Sequence, residues 1–306
     1  MQSKMKIATI FALSAAVISG TNNFLAKIAV SAIKDPILYT TLKNSIVALF
    51  LVGVLFALKR LDEIKMLTRR QIIQLLLIGL IGGSIPFALF FTGLTHTSAI
   101  NAGLIHKTLF VWVIFLALPI LKEKVTRPQI AGAALILFAN FFVGGFVGFK
   151  FNAGEFYILA ATIFWAIENI IAKIALKDLS SLLLAASRMV FGSLILGAFV
   201  LFNGGFGAVS HLNNTQWTWT FLTSALLTGY VISWYAALKY APAIYVAILL
   251  VPATLVTNVL SAIFITRAFS ANDFLSAVFY ILGVTLVIIS ARKAMNQSAL
   301  AQPALA

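Results

Sequence analysis

Apolar residues run through this chain in ten blocks of about 20 residues, the length that lets a helix cross a ~30 Å hydrocarbon layer. The blocks fall at residues 7–29, 37–58, 72–94, 98–121, 129–147, 155–176, 182–202, 216–238, 242–265 and 273–291. The polar breaks between them are short. Only 59–71 and 203–215 read as loops, and 294–306 reads as a disordered cytoplasmic tail. The pattern predicts an all-α integral membrane protein of ten transmembrane helices, with no soluble domain. The first block follows Lys4 and Lys6, as a signal peptide's would. It has full spanning length and lacks a clear small-residue cleavage site, so it reads as a retained first helix.

Composition agrees with the pattern. Hydrophobic residues make up 61% of the 306-residue chain and charged ones 10%, where a soluble domain carries about a quarter charged residues. The net charge of +14 would suggest nucleic acid in a soluble protein, but here the positive residues sort by side. With the N-terminus inside, Lys4, Lys6, Lys59, Arg60, Lys65, Arg69, Arg70, Lys122, Lys124, Arg127, Lys177, Lys239, Arg292 and Lys293 face the cytoplasm. Lys34, Lys150 and Arg267 face outward. This bias predicts N-in, C-in topology and excludes a nucleic-acid partner. The chain has no cysteine, hence no disulfide and no Cys-based metal site. It has no Walker loop, HExxH, CxxC or GxSxG, so no enzyme and no cofactor is expected.

The two halves repeat. The stretch Asn23-x-x-Ala-Lys27-Ile-Ala aligns with Asn169-x-x-Ala-Lys173-Ile-Ala, Lys43 falls near Arg188, and the tight link at 94–99 matches that at 238–243. The division is residues 1–150 (helices 1–5) and 151–293 (helices 6–10). Five is an odd number, so the halves cross the membrane in opposite senses. Inverted repeats are an architecture of secondary transporters, with substrate bound near the midplane.

Taken together, ten helices as five plus five, a basic residue in helices 2 and 7, and tight 3–4 and 8–9 links resemble the drug/metabolite transporter superfamily. The segment Leu121-Lys-Glu123-Lys-Val-Thr-Arg-Pro-Gln129-Ile-Ala-Gly132 resembles the L-x-E-x-x-x-x-x-Q-x-x-G signature of its EamA branch. The resemblance covers residues 7–291. It implies a cavity lined by helices 1, 3, 4, 6, 8 and 9. The family's proline midway along helices 4 and 9 is kept as Pro252, whereas Thr108 stands in helix 4 and Arg267 stands opposite Glu123. A mid-helix lysine in helix 4 is also similar to the related sugar-phosphate translocators, where it meets phosphate.

Candidate chemistry centres on His106-Lys107. Lys107 lies about 10 residues into its block, which at 1.5 Å per residue is ~15 Å deep. A charge at that depth costs about 3 kcal/mol or more to insert. Snorkelling does not reach the interface from there, so Lys107 faces a polar cavity, a partner carboxylate such as Glu168, or both. His106 reads as a substrate ligand or a packing histidine. Glu168, the one acid placed inside a span, reads as a proton carrier, a ligand for a substrate amine, or a counter-ion. Asn23 and Asn169 each share a helix face with the lysine four residues on. Trp165, Tyr230 and Tyr235 lie within spans and suit the wall of an organic-substrate site. By depth, Lys27 and Lys43 fall towards the outer mouth and Lys173 and Arg188 towards the inner one. They form two candidate gate clusters that either bind helix-end carbonyls or snorkel. Pro86 and Pro252 are candidate hinges, and Gly79-x-x-x-Gly83 and Gly144-x-x-x-Gly148 are candidate close helix contacts.

The sequence thus reads as a secondary transporter in a bacterial or archaeal cell membrane, multi-pass, monomeric or weakly dimeric. Its expected substrate is an amino acid or related carboxylate metabolite, exported by alternating access with protons as the candidate coupling ion. The alternatives are uptake or exchange of an anionic or phosphorylated metabolite, and a passive channel.

Overall fold

The computed structural model describes residues 2–97, 99–143 and 151–300, and side chains within them except at 2, 27, 99–100, 141–143 and 295–300. Ten long helical elements follow one another: α1 (Gln2–Ile33), α2 (Pro36–Ala57), α3 (Arg69–His96), α4 (Ala99–Lys107 and Leu109–Ile120), α5 (Arg127–Val143), α6 (Ala153–Ala175), α7 (Ser181–Phe202), α8 (Asn214–Tyr240), α9 (Ala243–Thr266) and α10 (Ala271–Leu300). Nine of them are long and apolar enough to cross a membrane. The exception, α5, has 17 described residues; its block was expected to run to 147. The segment expected as a disordered tail from 294 is helical as far as Leu300, and the Gly144/Gly148 pair lies outside the described residues.

Local chemistry sets the helix limits. Asp35, Thr68, Thr126, Asn152, Ser180, Asn213 and Ser270 each accept a backbone N–H from the first turn of the helix they precede. These are the donors a helix start leaves unpaired. At the other ends, Lys34, Lys59, Lys122 and Arg267 take left-handed φ values of 67°, 53°, 53° and 51°. Glycine is the default there. A basic residue instead places its charge beside the helix's terminal carbonyls, where a cation is favoured.

Packing is unchanged when the halves are exchanged. α1 packs on α8 as α6 packs on α3, α2 meets α7, and α5 meets α10. Bare backbone makes two close contacts possible, one between α3 and α7 and one between α5 and α10. A methyl on Gly192 of α7 would overlap the backbone of Gly83 in α3, and one on Gly132 of α5 would meet the Gly283 carbonyl and Val287 of α10. The α5–α10 pair is further joined by the Tyr280 hydroxyl, which donates to Asn140 at 3.1 Å.

Three helices depart from regular α geometry. In α3, Gly79–Ser84 forms a π-helical stretch just before Pro86. In α9, the helix breaks at Val251–Pro252, because proline has no N–H to donate. In α4, expected as one unbroken span, the helix breaks at Thr108. The Thr108 hydroxyl donates back to the Ile105 carbonyl at 2.6 Å, diverting an acceptor from the helical ladder. Both breaks thus fall at equivalent places in the two halves.

Candidate functional site

The broken and distorted helices surround a central cavity of about 510 Å³. Its wall takes Asn22 and Asn23 from α1, Phe87, Phe90 and Phe91 from α3, and His106 and Lys107 from α4. Across from them lie Trp165, Glu168 and Asn169 of α6, Tyr230 and Trp234 of α8, and Thr254, Thr257 and Asn258 of α9. Two further helices take part that were not expected to line it: α2 through Lys43 and α7 through Arg188. Tyr235 sits behind Glu168, while Pro86, Pro252 and Lys173 lie away from the lining. The side chain of Lys27 lies outside the described residues.

The cavity extends to the α9–α10 turn. There it is bounded by Thr266 and Ala268, which are exposed, and by Asp273, which is half-buried. The opposite end is shut by contacts between helices. The Glu123 carboxylate accepts the backbone N–H groups of Ala243 and Ile244, at 2.7 and 3.0 Å, and so holds the start of α9. Lys173 donates to the carbonyls of Leu238 and Ala241, at 2.6 and 2.7 Å, at the end of α8. Thr9 of α1 is hydrogen-bonded to Tyr245 of α9 at 2.8 Å. Both charged residues complement the helix ends they bind.

The aromatic side chains are stacked into one wall. The His106 ring lies 4.9 Å from Trp165 and 5.4 Å from Phe90, and Phe90 lies 5.4 Å from Phe91. His106 therefore packs and lines the cavity at the same time. Asn169 is fixed on two sides: its amide donates to the Trp165 carbonyl and its oxygen accepts the Trp234 indole N–H, both at 3.1 Å. This leaves Asn169 as a bracket between α6 and α8.

Apart from Asp273 at the mouth, the charged side chains of the wall are deeply buried: Lys43 is 1% exposed, Lys107 3%, Glu168 1% and Arg188 3%. Glu168 and Arg188 both press on Gly82, within the π-helical stretch of α3. The Gly82 carbonyl accepts Arg188 Nη2 and the Trp165 indole N–H, each at 3.0 Å. Glu168 accepts the Tyr235 hydroxyl at 2.5 Å, and the charges of Glu168 and Arg188 act on each other. The Lys107–Glu168 pairing that the sequence allowed is absent. Lys107 Nζ has no hydrogen-bond partner, because Tyr235 and Arg188 occupy Glu168's surroundings. Among the described residues the only ion pairs are Arg60–Glu63 and Lys65–Asp62.

The placement of Lys43 and Arg188 at opposite mouths is also corrected. Both sit 5.7 Å from the centroid of the same Phe87 ring, so depth counted from helix ends misplaced them. Lys43 does not snorkel: its ammonium lies 4.6 Å from the Phe91 centroid and 4.9 Å from that of Tyr39. No three His, Asp or Glu side chains converge among the described residues.

This arrangement of repeated helices has known relatives. The sequence profile of the EamA-like transporter family matches the chain twice, at residues 6–145 and 152–289. The chain belongs to the EamA-like transporter family. An uncharacterized transporter of Methanothermobacter thermautotrophicus is 27% identical over 44% of this chain and 41% of its own length. The uncharacterized transporter YyaM of Bacillus subtilis is 25% identical over 49% and 51%. The alignments thus span about half the length of these two relatives. The uncharacterized transporter sll1164 of Synechocystis is 24% identical over 80% of this chain and 73% of its own. A protein crystal structure shares the fold with a TM-score of 0.74 at 16% identity, over 94% of this chain and 97% of that one. This EamA-like chain is therefore a multi-span membrane protein of a transporter family.

Its signature now has physical content. Glu123 holds the first turn of α9. Gln129 accepts the Thr126 backbone N–H at 2.8 Å, closing the cap of α5. Gly132 gives α10 room against α5. The sequence displayed Glu123 but not its partner, 120 residues away.

Proposed function

We propose that this EamA-like transporter is a secondary carrier of a small organic solute bearing a carboxylate, working by alternating access between residues 1–150 and 151–293 as inverted halves. Lys107 is the group that meets the carboxylate. The observation that carries this reading is its ammonium, buried at the break of α4 and without a protein partner in a cavity walled by rings. Burying a charge without a partner is costly, and an anionic solute removes that cost each time it binds. A cavity that reaches one end while a charged network shuts the other supports alternation rather than a continuous pore.

Under the positive-inside topology, the open end faces outward and the Glu123–Lys173 end faces the cytoplasm. The relatives, from an archaeon and two bacteria, support a prokaryotic cell membrane. Export of a carboxylate metabolite is the leading form. Exchange of a phosphorylated one is the second reading, favoured by the same lone ammonium. Glu168 is held by Tyr235 and faces Arg188, which argues against its use for a substrate amine and so against an amino acid.

Purified protein in proteoliposomes tests the reading by counterflow of labelled organic acids. Wild type should show saturable exchange, and Lys107→Met should lose it at least tenfold. Wild-type exchange by Lys107→Met would overturn the assignment, and flux without saturation or counterflow would favour a channel.

A further inference from the structure

The charged side chains lining the cavity divide into two kinds. Arg188 and Glu168 offset each other across Gly82. Lys43 and Lys107 have no such opposite. Lys107 Nζ has no hydrogen-bond partner. Lys43 Nζ lies over the rings of Tyr39, Phe87 and Phe91. The other inward-turned lysines show what a structural role looks like: Lys173 binds two helix-end carbonyls, and Lys239 donates to the Leu179 carbonyl at 2.7 Å. Lys43 and Lys107 join no helices in this way. They leave two positive charges in a wall that also carries rings, asparagines and threonines, where like charges repel and water is scarce.

A row of rings leads from Lys43 to the segment that carries Lys107. Lys43 sits on Phe91, Phe91 touches Phe90, Phe90 touches His106, and His106 is the neighbour of Lys107. The path between them is a row of ring faces and edges, 5.4 Å from centroid to centroid at each step. Rings offer dispersion contacts to an apolar body and nothing to a hydrated ion.

From this juxtaposition we infer that Lys43 is a second anion-binding group of the cavity, and that the solute is an organic dianion with its two carboxylates at opposite ends of an apolar body. The inference rests on the anion-carrier reading above and narrows it. One end meets Lys107 at the α4 break, the other meets Lys43 on α2, and the middle lies along Phe90 and His106. A compact dianion such as a phosphate monoester carries both charges on one group and engages one lysine at a time.

Tryptophan fluorescence of the purified full-length protein gives the test, because Trp165 and Trp234 line the cavity. The probes are linear and aromatic dicarboxylates of graded length, the matching monocarboxylates, and glycerol phosphate. A dicarboxylate of fitting length should bind wild type at least tenfold more tightly than its monocarboxylate. Lys43→Met and Lys107→Met should each bring it down to the monocarboxylate's level, Lys43→Arg should restore at least a third of the loss, and the double variant should bind neither. Thermal melting of each variant establishes that it is folded, and a variant that does not fold is replaced by the glutamine substitution. Equal binding of mono- and dicarboxylates, or indifference to Lys43→Met, overturns the two-ended dianion and leaves the anion carrier standing. Tightest binding of glycerol phosphate overturns it in favour of a compact dianion. Binding of cations or neutral solutes alone overturns both.

Discussion

Removing Glu123 should loosen one end of the cavity without touching its interior. The carboxylate accepts two backbone N–H groups at the first turn of α9, at 2.7 and 3.0 Å. It reaches α9 from the link between α4 and α5, so the latch reasoning expects these bonds to break when that end opens. Losing a side-chain cap costs about 1 kcal/mol, within about 0.5–2. Losing a negative charge at a helix start costs a further ~0.3–1 kcal/mol. The half-buried setting, with screening by water, keeps the sum near 1–2 kcal/mol. At about 1.4 kcal/mol per tenfold, Glu123→Ala should shift the closed-to-open ratio of this end by roughly 5- to 30-fold. Glu123→Gln retains an acceptor for one amide and should shift it about 2- to 5-fold by the same conversion. The chain has no cysteine, so a single Ala247→Cys serves as reporter. Ala247 is buried beside the small void next to Lys107, on the shut side. The assay is the rate of labelling by a membrane-impermeant maleimide in inside-out vesicles. Faster labelling in the order Ala, Gln, wild type is expected. If Glu123→Ala lowers the melting temperature while the labelling rate stays at the wild-type value, the carboxylate is only a helix cap and the latch reasoning fails.

Four further outcomes follow from the same contacts. Lys173→Met loses two bonds from an ammonium to carbonyls; such bonds are worth about 1.5–3 kcal/mol each when buried and less at this half-buried site, so the melting temperature in detergent should fall, and an unchanged value would sink the clamp. Gly82→Ala would drive a methyl into Glu168, 3.0 Å from its Cδ and 3.3 Å from Arg188 Nε; overpacking of about 1–3 kcal/mol should appear as a lower melting temperature together with lost exchange, and normal melting and exchange would show that the site yields freely. Single cysteines at positions 34 and 177 should label from opposite faces of the membrane; same-face labelling would overturn the inverted topology. Glu168→Gln should leave Arg188 without its buried counter-charge and lower the melting temperature, and an unchanged value would show that the two charges do not offset each other.

The helical architecture was legible because hydrocarbon imposes a simple rule: a spanning helix must stay apolar for its whole length. The repeat was legible because α1 and α6 share a residue pattern. So was much of the cavity wall, since Asn23, His106, Lys107, Trp165, Glu168, Asn169 and Tyr230 all line it. Depth and rotation were not. Counting residues from helix ends put Lys43 and Arg188 at opposite mouths, yet they share Phe87. That count gives the height of the Cα atoms alone, and both side chains reach along their helices to the same ring of α3. Snorkelling was a reasonable expectation for Lys43 from its stem length alone. It fails because Tyr39, one turn away on α2, and two phenylalanines of α3 surround the ammonium. Pairing of Lys107 with Glu168 satisfied charge counting, but the carboxylate instead accepts the Tyr235 hydroxyl of α8, with the Arg188 charge close by.

The break in α4 joins these points. α9 is interrupted by a proline, which permanently lacks an amide hydrogen. α4 is interrupted at the equivalent place by Thr108, whose hydroxyl holds the Ile105 carbonyl and accepts the Trp112 indole N–H at 3.2 Å. The two halves therefore reach one backbone shape by different chemistry, and only the threonine version is reversible. Lys107 occupies the residue immediately before that reversible break, facing Leu250 and Val251 at the permanent one across a small void. The fold needs two broken helices to enclose the cavity, and proline on both sides would supply them. A lysine beside a threonine meets that need and adds a charge whose cost only a bound anion removes. The asymmetry between the halves is thus placed where solute binding and a change of helix shape can act on each other.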